Sequence, residues 1–323
     1  MVGQLEATTR KYHDKELKDC TKFRSYYMTK LLANSREFVD GRSYTWPVKY
    51  ARGTTQWLGE YEEQNRSPVE QITQAEEGYK FSSTSCVLSD QELKKNQGKE
   101  RILNLLSKKL SMLRDDVEKD LATQVWTGDG VKEPRGIVGS ATGWVDISAD
   151  TGSLSGTIAG IIRGTDDTGA GLYTNWWQPY SDADIGGSIT EAFVNALIQG
   201  CSHDADAPDL LISGKVVHQY VYGIATGLER EEHKDAAKLG FKSISINGIP
   251  YVWDEDCGSA DADAIYAFRM ADHALHFLKG SKMHRTEWFK PEKQRAIACD
   301  MINDLCYVIE VPRNQGGLGG ITG

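Results

Sequence analysis

Histidines and carboxylates are the side chains of this chain whose chemistry suits a metal ion. The chain has seven histidines, and none belongs to a His-Glu-x-x-His motif. His273 and His276 are an odd number of positions apart on a predicted strand, so they point to opposite faces and make poor joint ligands. His203, Asp204 and Asp206 form a candidate metal cluster, but they lie in a predicted turn without the spacing of a ligand motif.

A second acidic group lies at residues 254–263 in a predicted loop. It lacks the Asp-x-Asp-x-Asp-Gly pattern of a calcium loop; its members are Asp254, Glu255, Asp256, Asp261 and Asp263. The glycine-rich region 128–187 contains no phosphate-binding motif, and we interpret its glycines as turn residues. No Gly-x-Ser-x-Gly nucleophile motif is present. The sequence therefore predicts no catalytic residue, no cofactor, no metal and no enzymatic activity.

The composition bounds the class of protein. The chain has 323 residues, a formal net charge of −9, and 40% hydrophobic residues, which suits two or three compact units. An acidic chain does not bind nucleic acid by its overall charge. No apolar run of about 18 residues is present, so we expect no membrane span, and the polar N-terminus predicts no cleaved leader. Six scattered cysteines without a Cys-x-x-Cys pair predict free thiols in a reducing compartment.

The longest predicted element is a helix from Asp90 to Trp126. Ser89 and Glu92 form a capping box at its start, and Gly128 is placed to end it. Its length would be about 55 Å at ~1.5 Å per residue. Its apolar residues form one stripe: Leu93, Ile102, Leu106, Leu110, Leu113, Val117, Leu121 and Val125. This pattern fits a long helix that packs on one face of a sheet, and it also fits a long helix of a bundle or coiled coil.

Two segments precede this helix. Residues 1–36 carry eight cationic and four anionic side chains, a net charge of +4, and include a short amphipathic helix around Tyr26 and Tyr27. Such an arm can contact phosphates or an acidic neighbour. Residues 40–88 form an extended β-hairpin, with a strand at 80–88 and many aromatic side chains. We expect these aromatics to pack on another subunit; the alternative is a small β-subdomain folded on its own chain.

An α+β unit is predicted at 136–285. It has a helix capped by Ser188, a buried strand at 208–213, a helix at 215–228 and a hairpin turn at Asn247-Gly248. After this unit, the sequence predicts a β-hairpin that turns at Asn303-Asp304 and lays one face on the stripe of the long helix. The glycine-rich tail 316–323 is predicted to be flexible.

These features occur in an order that resembles the major capsid proteins of tailed double-stranded DNA phages, which have the Hong Kong 97 coat fold. The matching stretches are VDGRSYTWPVKYARG, ITQAEEGYKF, LKKNQGKERILNLLSKKL, AGIIRG with NWWQ, PDLLISGKVVHQYVY, LGFKSISINGIPYVWDED, AIYAFRMADHALHF and FKPEKQRAIACDMINDLCYVIEVPRNQGG. The resemblance implies an α+β fold with an N-terminal arm at 1–39 and an extended loop at 40–88. A peripheral domain with the long spine helix would comprise 89–135 and 286–323, and an axial α+β domain 136–285.

The resemblance also implies a function. Copies of the chain would assemble as pentamers and hexamers into an icosahedral shell around double-stranded DNA. The location would be the virion capsid, assembled in the host cytoplasm. The implied partners are other copies, a separate scaffold protein or none, a portal at one vertex, a possible cement protein and nonspecifically contacted DNA, with no membrane. The acidic 254–263 loop would lie near symmetry axes. No covalent cross-linking is predicted.

The arm and the extended loop would reach adjacent subunits. The predicted contact residues are Tyr26, Tyr27, Arg42, Trp46, Lys49, Tyr50, Arg52, Trp57, Glu60, Tyr61, Glu62 and Glu63. The cations Arg42, Lys49 and Arg52 would pair with the glutamates on another copy.

Three alternatives remain open at the level of the sequence. An encapsulin-like compartment shares the fold and encloses cargo enzymes. A soluble α/β enzyme would use the glycine-rich region and the acidic loop, and would form a small oligomer. A tail or portal component would form a single ring.

Overall fold

The structure is a computed structural model. It describes residues 25–39, 41–51, 53, 55–64, 66–95, 105–139, 142–163, 175–224, 244–292 and 294–322. Most of the predicted arm, Arg52 and the middle of the predicted long helix lie outside these ranges. The described helices are α1 Tyr26–Ala33, α2 Asp90–Lys95, α3 Leu105–Thr127, α4 Glu191–Cys201, α5 Lys215–Ile224 and α6 Glu255–Ala260. None of the helices in the described part of the chain is long and apolar enough to cross a membrane.

The strands are short except at the centre of one sheet. They are β1 Arg36–Phe38, β2 Ser43–Lys49, β3 Ile72–Gly78, β4 Lys80–Ser89, β5 Thr157–Ile158, β6 Ile161–Ile162, β7 Tyr180–Asp182, β8 Gly187–Ser188, β9 Leu210–Ser213, β10 Ile244–Ile246, β11 Ile249–Trp253, β12 Ile265–Phe268, β13 His273–Leu278, β14 His284–Arg285, β15 Ala296–Ile309, β16 Gly316–Leu318 and β17 Ile321–Thr322. The mixture of helices and sheets confirms the predicted α+β class.

One sheet is built around β15. Its order is β1-β13-β15-β14, and β4 also pairs with β15. The predicted hairpin turn at Asn303-Asp304 is therefore wrong, because both residues continue the strand and pair with Ser82 and Phe81 of β4. The buried Asn303 side chain accepts a hydrogen bond from the Met283 backbone at 2.6 Å. This contact gives the buried side-chain oxygen of Asn303 a hydrogen-bond partner while the backbone stays extended, so the strand continues without a turn.

The stripe of α3 lies on this sheet. Leu113 and Val117 are buried against Cys86 of β4 and Met301 of β15, and the stripe continues into the main core at Leu121. The predicted packing of helix and C-terminal strand is confirmed, and the bundle alternative is wrong for the described part of the helix. The predicted capping box is present at α2, where the Ser89 backbone donates to the Glu92 carboxylate at 3.3 Å and the Glu92 backbone donates to the Ser89 hydroxyl at 3.4 Å.

A second sheet has the order β10-β11-β9-β12-β16-β7. The predicted turn between β10 and β11 is confirmed, since Asn247 and Gly248 have positive φ angles of 51° and 80°. The predicted helix cap at Ser188 is wrong by two residues, because Thr190 is the N-cap of α4.

The predicted flexible tail is wrong, because β16 pairs on both sides and is buried. A Cβ atom at Gly316 would lie 2.5 Å from Cys201 Sγ and 2.8 Å from the Tyr180 carbonyl oxygen. The glycines of this tail therefore permit a close approach of backbones. The sheets also cross the predicted division at residue 285, because β13 pairs with β15 in the first sheet while β16 belongs to the second.

The acidic stretch at 254–263 is not a plain loop, and this prediction is corrected. Asp254 is buried and caps α6, accepting backbone N–H bonds from Asp256 and Cys257, and it also accepts from the Ser25 hydroxyl. The Asp256 carboxylate accepts from Thr123 of α3 at 3.1 Å. Burial raises the pKa of both carboxyls. Asp256 thus joins α6 to the long helix, and Asp254 joins α6 to the N-cap of α1.

Candidate assembly surface

The base of the extended hairpin is packed on its own chain. β2 and β3 form an antiparallel ribbon that pairs Trp46 with Ala75. Trp46 is 7% exposed, and its indole N–H donates to the Glu310 carbonyl at 3.2 Å. The Tyr44 hydroxyl donates to the Glu310 carboxylate at 3.1 Å, and its ring stacks on Trp46. These contacts support the alternative in which the base of the hairpin folds against its own subunit.

A buried ion pair fixes the other strand of the ribbon. Arg135 Nε lies 3.0 Å from Glu77 Oε2, and both side chains are largely buried. Burial raises the pKa of the Glu77 carboxyl, and the Arg135 cation partly offsets this shift. The Glu76 backbone N–H donates to the Ala159 carbonyl at 2.9 Å. The ribbon is therefore held in one orientation relative to the body.

The distal part of the hairpin, residues 55–70, is exposed at each of its described residues. Trp57 is 95% exposed and Tyr61 is 93% exposed, and Leu58 beside them is also exposed. A turn is fixed locally, because the Gly59 backbone N–H donates to the Glu62 carboxylate at 2.9 Å. We call residues 55–70 the distal loop. Two nearly fully exposed aromatic side chains on one short segment are typical of a surface that a partner covers.

The distal loop is acidic. Its charged side chains are Glu60, Glu62, Glu63, Glu70 and Arg66, which give a net charge of one minus four, or −3. All five are exposed. The distal loop therefore combines apolar area with negative charge, and a partner surface should combine apolar area with positive charge.

One described segment of the chain has that complementary character. We call residues 279–295 the basic segment. Its anions are Glu287 and Glu292, and its cations are Lys279, Lys282, Arg285, Lys290, Lys293 and Arg295, so the net charge is six minus two, or +4. Phe289 in this segment is 44% exposed. Phe289 pairs with Ala298 of β15, and Ala298 also pairs with the exposed Val87 of β4. Phe289 and Val87 therefore form an apolar patch beside the cations.

The structure separates the predicted contact residues into three groups. Tyr26, Tyr27 and Trp46 are buried in their own subunit, so their prediction as contact residues is wrong. The reason is packing of α1: the Tyr27 hydroxyl lies 2.8 Å from His273 and 2.7 Å from the Tyr307 hydroxyl.

Tyr50 is half-buried and stacks on Trp176 at a ring-centroid distance of 5.6 Å. Arg52 lies outside the described residues. The remaining predicted residues are exposed: Arg42, Lys49, Trp57, Glu60, Tyr61, Glu62 and Glu63. Leu58 and the basic segment are not among the contact residues predicted from the sequence. The cluster of cations between 279 and 295 was the signal that could have revealed the latter.

Two of the described histidines lie in the core. His273 and His276 are fully buried on β13, and burial lowers the pKa of each to about 4. His273 is satisfied by Tyr27, Tyr307 and Gln315, whereas neither ring nitrogen of His276 has a hydrogen-bond partner. His203 contacts Arg313, whose Nε donates to it at 3.0 Å. In the described part of the chain, no cluster of side chains has the composition of a metal site.

Comparison with solved structures reveals relatives in fold. No protein-family model matches the sequence, and no curated protein matches it. The chain is similar to a subunit of the capsid of cyanophage A-1(L), with 14% identity, a TM-score of 0.67, and coverage of 95% of this chain and 97% of the other. It is similar to the capsid of an empty GTA particle, with 12% identity, a TM-score of 0.61, and coverage of 95% and 100%.

The same fold occurs in an encapsulin. The chain is similar to the SrpI encapsulin of Synechococcus elongatus PCC 7942, with 6% identity, a TM-score of 0.57, and coverage of 95% of this chain and 92% of the other. At these identities the comparison concerns the course of the backbone. The match spans nearly the whole chain in each case, and it confirms the fold predicted from the sequence. The chain therefore has the Hong Kong 97-like fold of the tailed-phage major capsid proteins.

Proposed function

We propose that this protein is a major capsid protein whose copies form pentamers and hexamers and close an icosahedral shell around double-stranded DNA. The observation that carries the proposal is the distal loop, which projects two exposed aromatic side chains from a fold shared with phage capsid subunits. Exposure of Trp57 and Tyr61 to water costs free energy in a monomer, and their burial against another copy would recover it. The protein acts mechanically and not as an enzyme.

The contact between copies is heterologous in this proposal. The acidic distal loop of one copy meets the basic segment of the next, and Trp57 and Tyr61 cover the patch at Phe289 and Val87. Opposite charges orient the encounter, and apolar burial supplies most of the affinity. Since the two surfaces differ, each copy both gives and receives one contact, which generates a ring when the rotation closes. Arg42 and Lys49 at the hairpin base remain secondary candidates for pairing with the glutamates.

The division into structural regions is part of the proposal. Residues 1–39 form the arm and 40–88 the extended loop, 89–135 with 286–323 form the peripheral domain, and 136–285 the axial domain. β13 comes from the axial range but belongs to the sheet around β15, and β16 comes from the peripheral range but belongs to the other sheet. The two domains therefore share strands and should move together. The proposed partners during assembly are a scaffold protein, a portal at one vertex and a cement protein. The proposed location is the virion capsid, after assembly in the host cytoplasm.

An encapsulin-like compartment is the second candidate, because the encapsulin shares the fold over 95% of this chain. The contents of the particle distinguish the two functions. Particles made in cells are treated with nuclease, opened, and analysed for DNA and for co-purifying protein. Protected double-stranded DNA supports the capsid function, and a stoichiometric cargo enzyme without DNA supports the compartment.

A further inference from the structure

Cys86 and Cys299 lie directly opposite each other on adjacent strands. The register of β4 and β15 pairs them, and side chains of directly opposite residues share one face of a sheet. That face is covered by α3, where Cys86 packs beside Met301 and Leu113. Both cysteines are buried, with exposed fractions of 8% for Cys86 and 0% for Cys299. The fold thus brings together two thiols that are 213 positions apart, as the register and numbering show.

The expected spacing suits a disulfide with some strain. The Asp90 backbone N–H donates to the Arg295 carbonyl at 3.0 Å in the same register, so alternate pairs, including Cys86 with Cys299, are hydrogen-bonded pairs. In such a pair the Cα atoms are expected about 5.5 Å apart, inside the ~4.4–6.8 Å range of disulfides. Their Cβ atoms, at about 4.5–5.5 Å, must approach slightly. A strained disulfide is easily reduced.

We propose that Cys86 and Cys299 form a reversible disulfide when the protein meets a low-molecular-weight disulfide such as glutathione disulfide. The thiolate of Cys86, the more exposed of the two, attacks one sulfur of the oxidant and releases one glutathione thiolate. The Cys299 thiolate then attacks Cys86 Sγ and releases the second. The two protein thiols are oxidised, and their two protons pass to the two glutathione molecules.

A rotation about one bond prepares the second step. Cys299 Sγ now lies 3.5 Å from the Thr286 carbonyl oxygen, and rotation about its Cα–Cβ bond turns it towards β4. Burial raises the pKa of the Cys86 thiol, so the reaction is faster at mildly alkaline pH. Among the other described cysteines, Cys306 lies opposite His276 and has no thiol across the strand.

The bond would tie the strand that leads out of the hairpin to the central strand of the sheet. Its use rests on the proposed function, since a shell released from a reducing cytoplasm meets an oxidising medium. The bond itself does not depend on that function, because both cysteines belong to one subunit. Formation of the bond and assembly of the shell can therefore be measured separately.

The test uses the purified full chain. It is incubated with glutathione disulfide, alkylated, and cleaved without reductant by trypsin and cyanogen bromide. Cleavage after Met301 separates Cys299 from Cys306. The expected product joins the peptide 81–94 to the peptide 296–301, the intact chain loses two free thiols, and reduced glutathione reverses both changes.

Two results would overturn the proposal. One is the absence of this linked peptide while Cys86 or Cys299 is recovered alkylated or joined to glutathione. The other is a linkage of Cys86 to the peptide that contains Cys306. The Cys306→Ser variant is the matched control and should retain the linked peptide, whereas Cys299→Ser should lose it. Equal elution volumes and circular dichroism spectra establish that both variants are folded.

Discussion

Arg135 and Glu77 form an ion pair of 3.0 Å that joins the loop after the long helix to the base of the extended hairpin. Arg135 also donates to the Thr142 carbonyl at 2.7 Å. This pair and the Trp46–Glu310 contact lie on opposite strands of the ribbon. Together they fix the direction in which the distal loop leaves the body. Contacts within one subunit therefore set the orientation of the proposed contact surface.

Removing one member of this pair should destabilise the subunit. In Arg135→Met the carboxylate of Glu77 stays buried without its cation, which typically costs about 3–5 kcal/mol. Urea unfolding of the unassembled chain measures the free energy of unfolding. The matched control is the double variant Glu77→Leu/Arg135→Met, which should regain much of the loss. A single variant as stable as the wild type would show that the pair does not hold the hairpin.

The two tryptophans of the hairpin should behave in opposite ways. Trp46→Ala removes a buried side chain and should lower the free energy of unfolding by about 3–5 kcal/mol. Trp57→Ala removes an exposed one and should change stability by less than about 0.5 kcal/mol. Self-association, measured by analytical ultracentrifugation, should instead be weakened by Trp57→Ala. The assignment of the two residues would be wrong if Trp57→Ala unfolded the subunit and left association unchanged.

Charge reversal tests the pairing of surfaces. Glu60→Lys/Glu63→Lys should prevent assembly, and so should Arg285→Glu/Lys290→Glu, because each places like charges together. A chain carrying all four changes should assemble again, since every copy then has both reversed surfaces. Light scattering during assembly at several salt concentrations is the measurement. Loss of assembly in the combined variant, with the subunit folded, would contradict the proposed contact.

His276 should make stability depend on pH. Burial lowers the pKa of His276 from the ordinary 6.5 to about 4. Between pH 6.5 and about pH 4, the unfolded chain therefore binds a proton at this histidine and the folded chain does not. The stability is present above pH 6.5 and is lost as the pH falls towards 4, by about 1.4 kcal/mol per pH unit for one such group. In His276→Phe this slope should be shallower.

The comparison isolates His276 because other groups are common to both proteins. His273 contributes a slope of the same sign, and the raised pKa values of Asp254 and Asp272 contribute the opposite sign. The Phe ring also leaves no unpartnered ring nitrogen beside Tyr44, so the variant should be at least as stable as the wild type at pH 7. Identical slopes in the two proteins would exclude His276 as a titrating group.

Local patterns predicted the local elements well. The strand predicted at 80–88 is β4, the buried strand at 208–213 contains β9, and the Asn247-Gly248 turn has the backbone angles that its sequence requires. These features depend on residues close together in the chain. The continuous strand through Asn303 could not be predicted, because its amide is satisfied by a backbone group 20 positions away.

Which side chains form the contact surface depends on contacts between residues that are still farther apart in the sequence. Trp46 and Trp57 belong to one aromatic-rich segment, and the sequence does not reveal that only Trp46 reaches Glu310, which is 264 positions away. Tyr27 is buried for the same reason, through a partner 280 positions away. The sequence identified the segment that projects from the body, whereas tertiary packing decides which of its side chains remain for another copy.

Assembly itself tests the central claim most directly. The purified protein, alone and co-expressed with a candidate scaffold protein, is separated by size-exclusion chromatography and imaged by negative-stain electron microscopy. The account predicts closed icosahedral particles for the wild type, and only unassembled subunits for Trp57→Ala/Tyr61→Ala. Monomers, dimers or single rings under every condition for the wild type, or unimpaired particles from the double variant, would contradict it.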